Sequence, residues 1–101
     1  MTHRVVYTAA ALADLAALSS YVADETSLAI ATRFIKRVVA RCDSLEDFPM
    51  RGTKRDDIRP ALRILAYRKR TLIAFTVGRS EVTILAVVHG AQDYGALLQQ
   101  S

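Results

Sequence analysis

Among the 101 residues there is one cysteine, Cys42, so no intramolecular disulfide can form, and a cysteine-based structural zinc site would need ligands that are not there. No apolar run approaches the roughly 20 residues that a membrane-spanning helix requires. The opening residues, MTHRVVYTAA, lack the apolar stretch and cleavage site of a secretory leader. Together these absences predict a cytoplasmic chain that uses neither a metal nor any other cofactor. Internal repeats, low-complexity segments and linkers are missing as well, which predicts one domain over residues 1–101. The sequence also offers no Ser-His-Asp or Cys-His arrangement, since Cys42 falls on the apolar stripe of a predicted helix and reads as core.

What is present is an ordinary globular composition, 51% apolar and 24% charged, with an uneven basic excess. The net charge is +4, yet residues 33–70 hold twelve of the fourteen Lys and Arg against five of the ten acidic side chains. Such concentration points either to an anionic partner, nucleic acid or an acidic peptide, or to a merely solvated surface. A domain this small buries a modest share of its surface and gains stability from a bound partner.

Residues 4–8, RVVYT, read as a strand from their β-branched and aromatic content. Thr8 is placed to cap a helix from Ala9 to about Asp24, with Leu12, Leu15, Leu18 or Ser19, and Val22 on one face. Thr26 or Ser27 caps a second helix whose stripe is Ile30, Phe34, Val38, Cys42 and Leu45, with Arg33, Lys36, Arg37 and Arg41 off it. The short link predicts an antiparallel helical hairpin. Phe48-Pro49 stops the second helix, and residues 49–60 read as a charged loop.

Residues 61–68, 71–77 and 81–88 then alternate as strands, close enough for an antiparallel meander. The last is apolar on both pleat faces: Val82, Ile84, Ala86 and Val88 are expected on one and Leu85 and Val87 on the other. It therefore belongs inside the sheet or under a partner. Gly52 and Gly78 are expected to permit turns, and ALLQQ in the tail suffices for about one helical turn. The order predicts an α+β fold: an N-terminal strand and a two-helix antiparallel hairpin packed on an antiparallel sheet completed by a three-stranded meander.

In this order and length, the motifs resemble those of the RelE/ParE toxin superfamily of type II toxin-antitoxin systems, nearer its ParE-like branch. Ala11, Asp14 and Leu15, with Tyr21 later, match an early A..DL helix. Phe48, Pro49 and Gly52 match an FP..G loop, Asp57 to Pro60 a DIRP segment, and Leu62-Arg63 the LR that follows it. ILAVVHGAQDYGALL is similar to the family's apolar strand running into VxHGxxD and a short apolar tail. The chain departs from the pattern at Thr71 and Phe75, where aromatics with a hydroxyl are usual, and at Gln92, where arginine is common.

The resemblance implies a toxin that inhibits DNA gyrase, and hence replication and growth, by binding rather than by chemistry, and that a cognate antitoxin neutralises in a hetero-oligomeric complex. Target contact is expected at Arg59, Arg63, Asp93, Tyr94, Leu97 and Leu98. The antitoxin is expected over Leu12, Leu18, Tyr21, Phe34 and Val38, residues that serve equally well as core. A RelE-like ribosome-dependent mRNA endoribonuclease is the alternative, with Lys54, Arg63, Arg68, His89 and Tyr94 as its candidate groups. Arginine is a poor general base but a good phosphate clamp, and His89 suits either acid-base work or a structural hydrogen bond that pins the tail. The departures motivate a third reading, a non-toxic scaffold that only binds its antitoxin. Arg59 and Arg63 suit anions with their forks, or else form surface ion pairs with Asp56 or Asp57.

Overall fold

The computed structural model describes residues 3–68, 70–90 and 94–99. They form β1 (Arg4–Tyr7), α1 (Ala9–Glu25), α2 (Leu28–Asp43), a 3-10 turn (Ser44–Glu46), β2 (Thr53–Lys54), β3 (Arg63–Tyr67), β4 (Thr71–Val77), β5 (Glu81–His89) and α3 (Tyr94–Gln99).

Both helix starts follow from their caps. The Thr8 hydroxyl accepts the Ala11 N–H at 3.0 Å, and the Ser27 hydroxyl accepts that of Ile30 at 3.2 Å, each satisfying an N–H that the first turn leaves without a partner. The buried stripes sit slightly off the expected ones. In α1 they are Ala11, Leu15 and Leu18, while Leu12 is 55% exposed. In α2 they are Ala31, Val38 and Cys42, continued by Leu45 in the 3-10 turn, while Ile30 is 44% exposed and Phe34 half-buried. At each shifted position a fully buried alanine, Ala11 or Ala31, faces inward. A small inward side chain lets backbones approach closely and turns the larger neighbour outward.

The sheet order is β1-β5-β4-β3-β2. The meander is antiparallel as expected, but β1 pairs parallel with β5, so the sheet is mixed rather than antiparallel. The connection between those two strands contains the helical hairpin and is long enough for the crossover that parallel pairing needs. Within the stretch read as loop, Thr53–Lys54 adds an edge strand to β3. Gly52 makes that approach possible: its φ is +79°, and a Cβ there would strike the Ile64 carbonyl.

Ala74 faces Ala86 across β4 and β5, yet Phe75 faces Ile84, leaving Leu85 as the extra residue of a β-bulge. The bulge reassigns the faces of β5. Val82, Ile84 and Val87 pack under the helices with Leu15, Leu18, Val38 and Phe75. Leu85, Ala86 and Val88 join the second cluster, around Leu62, Ile64, Ala74 and Leu98. The simple alternation expected for this strand therefore fails at its middle. α3 covers the second face, and Leu98 is only 2% exposed.

Because Leu98 fills a closed apolar site, Leu98→Ala is expected to destabilise the fold by about 2–5 kcal/mol, read from urea unfolding with an unchanged slope. A loss below about 0.5 kcal/mol, the range of ordinary surface changes, would show that α3 does not dock this way in solution.

Candidate functional site

β1 ends opposite Ile84, so β5 from Leu85 to His89 has no strand on that side. α1 supplies substitutes. The Thr8 hydroxyl donates to the Leu85 carbonyl at 3.1 Å, and the Asp14 carboxylate accepts the Val87 N–H at 2.9 Å. Asp14 of the A..DL motif thus fastens α1 to the strand edge.

Two hollows of about 380 and 480 Å3 meet at His89 and Arg70. Asp14, Leu18, Tyr21 and Val87 line the first, and Phe34, Arg68 and Thr71 line the second. The His89 ring lies 5.8 Å from Tyr21 and 6.2 Å from Phe34, centroid to centroid, and Phe34 stands 5.8 Å from Tyr67. Such separations suit tilted and edge-on aromatic packing. α1, α2, β3 and β5 each contribute one ring to this cluster.

His89 Nδ1 lies 2.8 Å from the hydroxyl of Thr71, which is 1% exposed. The residue that departs from the family pattern therefore holds the histidine in place. Burial, and secondarily the Arg70 guanidinium, lower the His89 pKa below the usual imidazole value, which disfavours the charged ring.

The other candidates are spread across the molecule. Arg63 donates from Nε to the Arg51 carbonyl at 3.0 Å and from Nη2 to that of Met50 at 2.6 Å. It staples the FP..G loop instead of presenting its fork to a target. Lys54 pairs with Asp56 at 3.5 Å, and Arg55 pairs with Asp57 through two 2.9 Å contacts. The Arg55 guanidinium holds the Asp57 carboxyl below its ordinary range. These pairs take the place of the ones expected for Arg59 and Arg63, and Arg59 itself is half-buried. Arg68 reaches over the Tyr67 ring, 5.6 Å from its centroid.

Arg63 sits opposite Phe75 and His89 opposite Thr71 on β4, about 13 Å apart along that strand at ~3.3 Å per residue. Lys54 and Arg63, register partners on β2 and β3, therefore stand apart from His89, whereas Arg68 lines the second hollow with it. Of the expected target contacts, Leu98 is core, and Asp93 and the side chains of Tyr94 and Leu97 lie outside the described residues, as does Gln92. Of the expected antitoxin contacts, Leu18 and Val38 are core, whereas Leu12 and Tyr21 are open and Phe34 half-open. Cys42 is also core. Burial, then the neighbouring Asp43 carboxylate, pushes its thiol up to about 12. The aromatic cluster escaped the sequence reading, although Tyr21 and Phe34 were each singled out, because nothing in a linear pattern joins residues on four separate elements.

Fold and geometry define the class first: small α+β domains in which a helical hairpin covers a mixed sheet and leaves an aromatic hollow at its end. A family model described as the ParE toxin of type II toxin-antitoxin systems, parDE, matches residues 5–94, and the chain belongs to that family. The solved chromosomal ParDE toxin-antitoxin system from P. aeruginosa contains a chain of the same fold, with a TM-score of 0.77 at 22% identity, covering 89% of this chain and 98% of that one. No curated protein matches the chain.

A histidine whose folded pKa is lowered contributes stability that is complete above its unfolded value, about 6.5, and is lost as pH falls through the folded value. Stability should therefore decline between pH 7.5 and 5.5, and less steeply in His89→Gln. Parallel profiles for the two proteins in thermal unfolding would remove this role from His89.

Proposed function

We propose that the chain is a ParE-like toxin that acts by binding DNA gyrase and blocking its supercoiling cycle, and that a cognate antitoxin holds it inactive by occupying the hollow around His89. The observation that carries the reading is the open aromatic hollow beside the unpaired edge of β5, in a chain of this family. Tyr21 stands about half-exposed in its lining, and beyond the Val87 N–H held by Asp14 the end of β5 has no strand beside it on that side to exclude an extended segment. An antitoxin tail that lays apolar side chains on α1 and α2 and adds a strand there would use two general modes of peptide recognition.

Chemistry at the other candidates has less support. A nuclease needs a proton acceptor and donor within reach of one scissile phosphate. Here His89 is a hydrogen-bonded ring far from Arg63, and Arg63 is engaged by two carbonyls. The tail from Asp93 to Ser101, apart from the core residue Leu98, and Arg59 are the target contacts this reading retains. The cytoplasm is its natural compartment, and among the described residues no helix is long and apolar enough to cross a membrane.

Antitoxin-free protein added to a gyrase supercoiling reaction is expected to abolish supercoiling and accumulate cleaved DNA. Tyr21→Ala is expected to inhibit gyrase equally but to need at least tenfold more antitoxin for reversal, the scale of an interface hot spot. If folded protein leaves gyrase untouched, the gyrase reading fails. Cleavage of ribosome-bound mRNA would then favour the nuclease, and retained antitoxin binding with no growth effect the inert scaffold.

A further inference from the structure

Beside the hollow, and sharing Phe34 and Arg68 with it, lies a second feature of different chemistry. Arg33, Arg37 and Arg41 follow one another on successive turns of α2, about 6 Å apart per four-residue step. Phe34, Arg33, Arg37 and the hairpin residue Arg68 line one groove of about 350 Å3. Arg37, Arg41 and the loop residue Arg51 line the next, of about 410 Å3. Sharing Arg37, the two grooves form one trench along the helix, and no carboxylate lines either.

The guanidiniums are positioned without being neutralised. Arg41 and Arg68 lie 5.5 and 5.6 Å from the centroid of the nearly buried Tyr67 ring, and Arg51 lies 5.4 Å from that of Phe48. Arg51 also donates to the Ser44 hydroxyl at 2.9 Å. Arg68 carries a positive φ of 58°, a conformation that costs a non-glycine residue free energy. Among the described residues, none of the five takes part in an ion pair, the three ion pairs found there lying elsewhere. A merely solvated basic surface needs no ring contacts to hold its arginines, and a structural cluster would pair them with acids.

We infer that this trench is a binding site for the phosphodiester backbone of duplex DNA. Planar guanidinium forks match phosphate oxygens, and the repeat along α2 is of the order of the spacing of successive phosphates on a strand. Ring contacts lower the ordering cost on binding. The trench presents one sign of charge, and its apolar lining of Ile30, Phe34, Ala40 and the Tyr67 ring is interleaved with five arginines, which suits a uniform polyanion better than a peptide needing side-chain pockets. The site stands on this geometry. The choice of duplex DNA over RNA rests on the gyrase reading, since gyrase works on duplex DNA.

The test titrates the whole chain into a short fluorescein-labelled DNA duplex and follows anisotropy at several salt concentrations, with no gyrase present, so that its outcome is separate from that of the supercoiling reaction. Wild type is expected to bind with a log-log salt slope near −4, about 0.9 per phosphate contacted. Arg33→Gln/Arg37→Gln should lower affinity at least tenfold at low salt and flatten the slope by about 1.8, while Arg33→Lys/Arg37→Lys keeps most of the slope. Arg4→Gln/Arg79→Gln removes the same charge outside the trench and should leave the slope unchanged. Circular dichroism melts establish that each variant is folded. Absence of salt-dependent binding, equal weakening by the two glutamine pairs, or tighter binding of single-stranded RNA or polyglutamate than of the duplex would each overturn the assignment.

Discussion

The β-bulge at Leu85 is the constraint on which the rest of the structure depends. A strand of nine residues with strict alternation would send Ala86 and Val88 to the helical side, where the register instead places Val87. By inserting one residue, β5 serves the helical core with its first half and with Val87, and the second core with Leu85, Ala86 and Val88. A bulge leaves ladder groups without strand partners, and two side chains meet that need. Thr8 caps α1 and also donates to the Leu85 carbonyl, while Asp14 accepts the Val87 N–H. The same contacts fix where β1 stops and α1 begins. They leave the last stretch of β5 open beside a helix, which is where the aromatic hollow forms.

Thr71 and His89 extend that logic to the end of the sheet. A hydroxyl buried as deeply as that of Thr71 costs free energy without a partner, and His89 Nδ1 supplies one at 2.8 Å. An aromatic at position 71 could not make this bond in the same space. The departure from the family pattern is therefore compensated locally, and the ring stands fixed between Tyr21 and Phe34. A firmly held ring makes a poor proton shuttle but a good wall for a recognition surface, because little freedom remains to be lost on binding.

Much of this was legible in the sequence because it is set locally. Thr8 and Ser27 announce both helix starts by short polar caps, the three meander strands show as short β-branched and apolar runs divided by turns, and Gly52 marks a turn that only glycine fits. What escaped was set by pairing at a distance. The parallel partner of β1 lies more than seventy residues away, and the bulge depends on contacts from Thr8 and Asp14 that no pattern within β5 reveals. The helix stripes were misplaced by one position at Leu12 and Ile30 because hydropathy favours the larger side chain, whereas close packing selected Ala11 and Ala31. Of the candidate site, Tyr21, Phe34 and His89 could be named singly, but only the fold joins them.

The arginines show the same division between what sequence counts and what structure sorts. Concentrated charge in residues 33–70 reads as one basic surface, yet eight of its twelve cations fall into three physical groups. Arg63 is consumed by loop carbonyls, and Lys54 and Arg55 by neighbouring aspartates. Arg33, Arg37, Arg41, Arg51 and Arg68 retain their charge in the trench on α2, three of them steadied by aromatic rings. Phe34 and Arg68 line both this trench and the hollow at His89. An apolar segment seated in the hollow and an anion seated in the trench would therefore meet across these two residues. Occupants that meet can be energetically coupled only through a differential interaction, and the Phe34–Arg68 boundary is where the geometry provides for one.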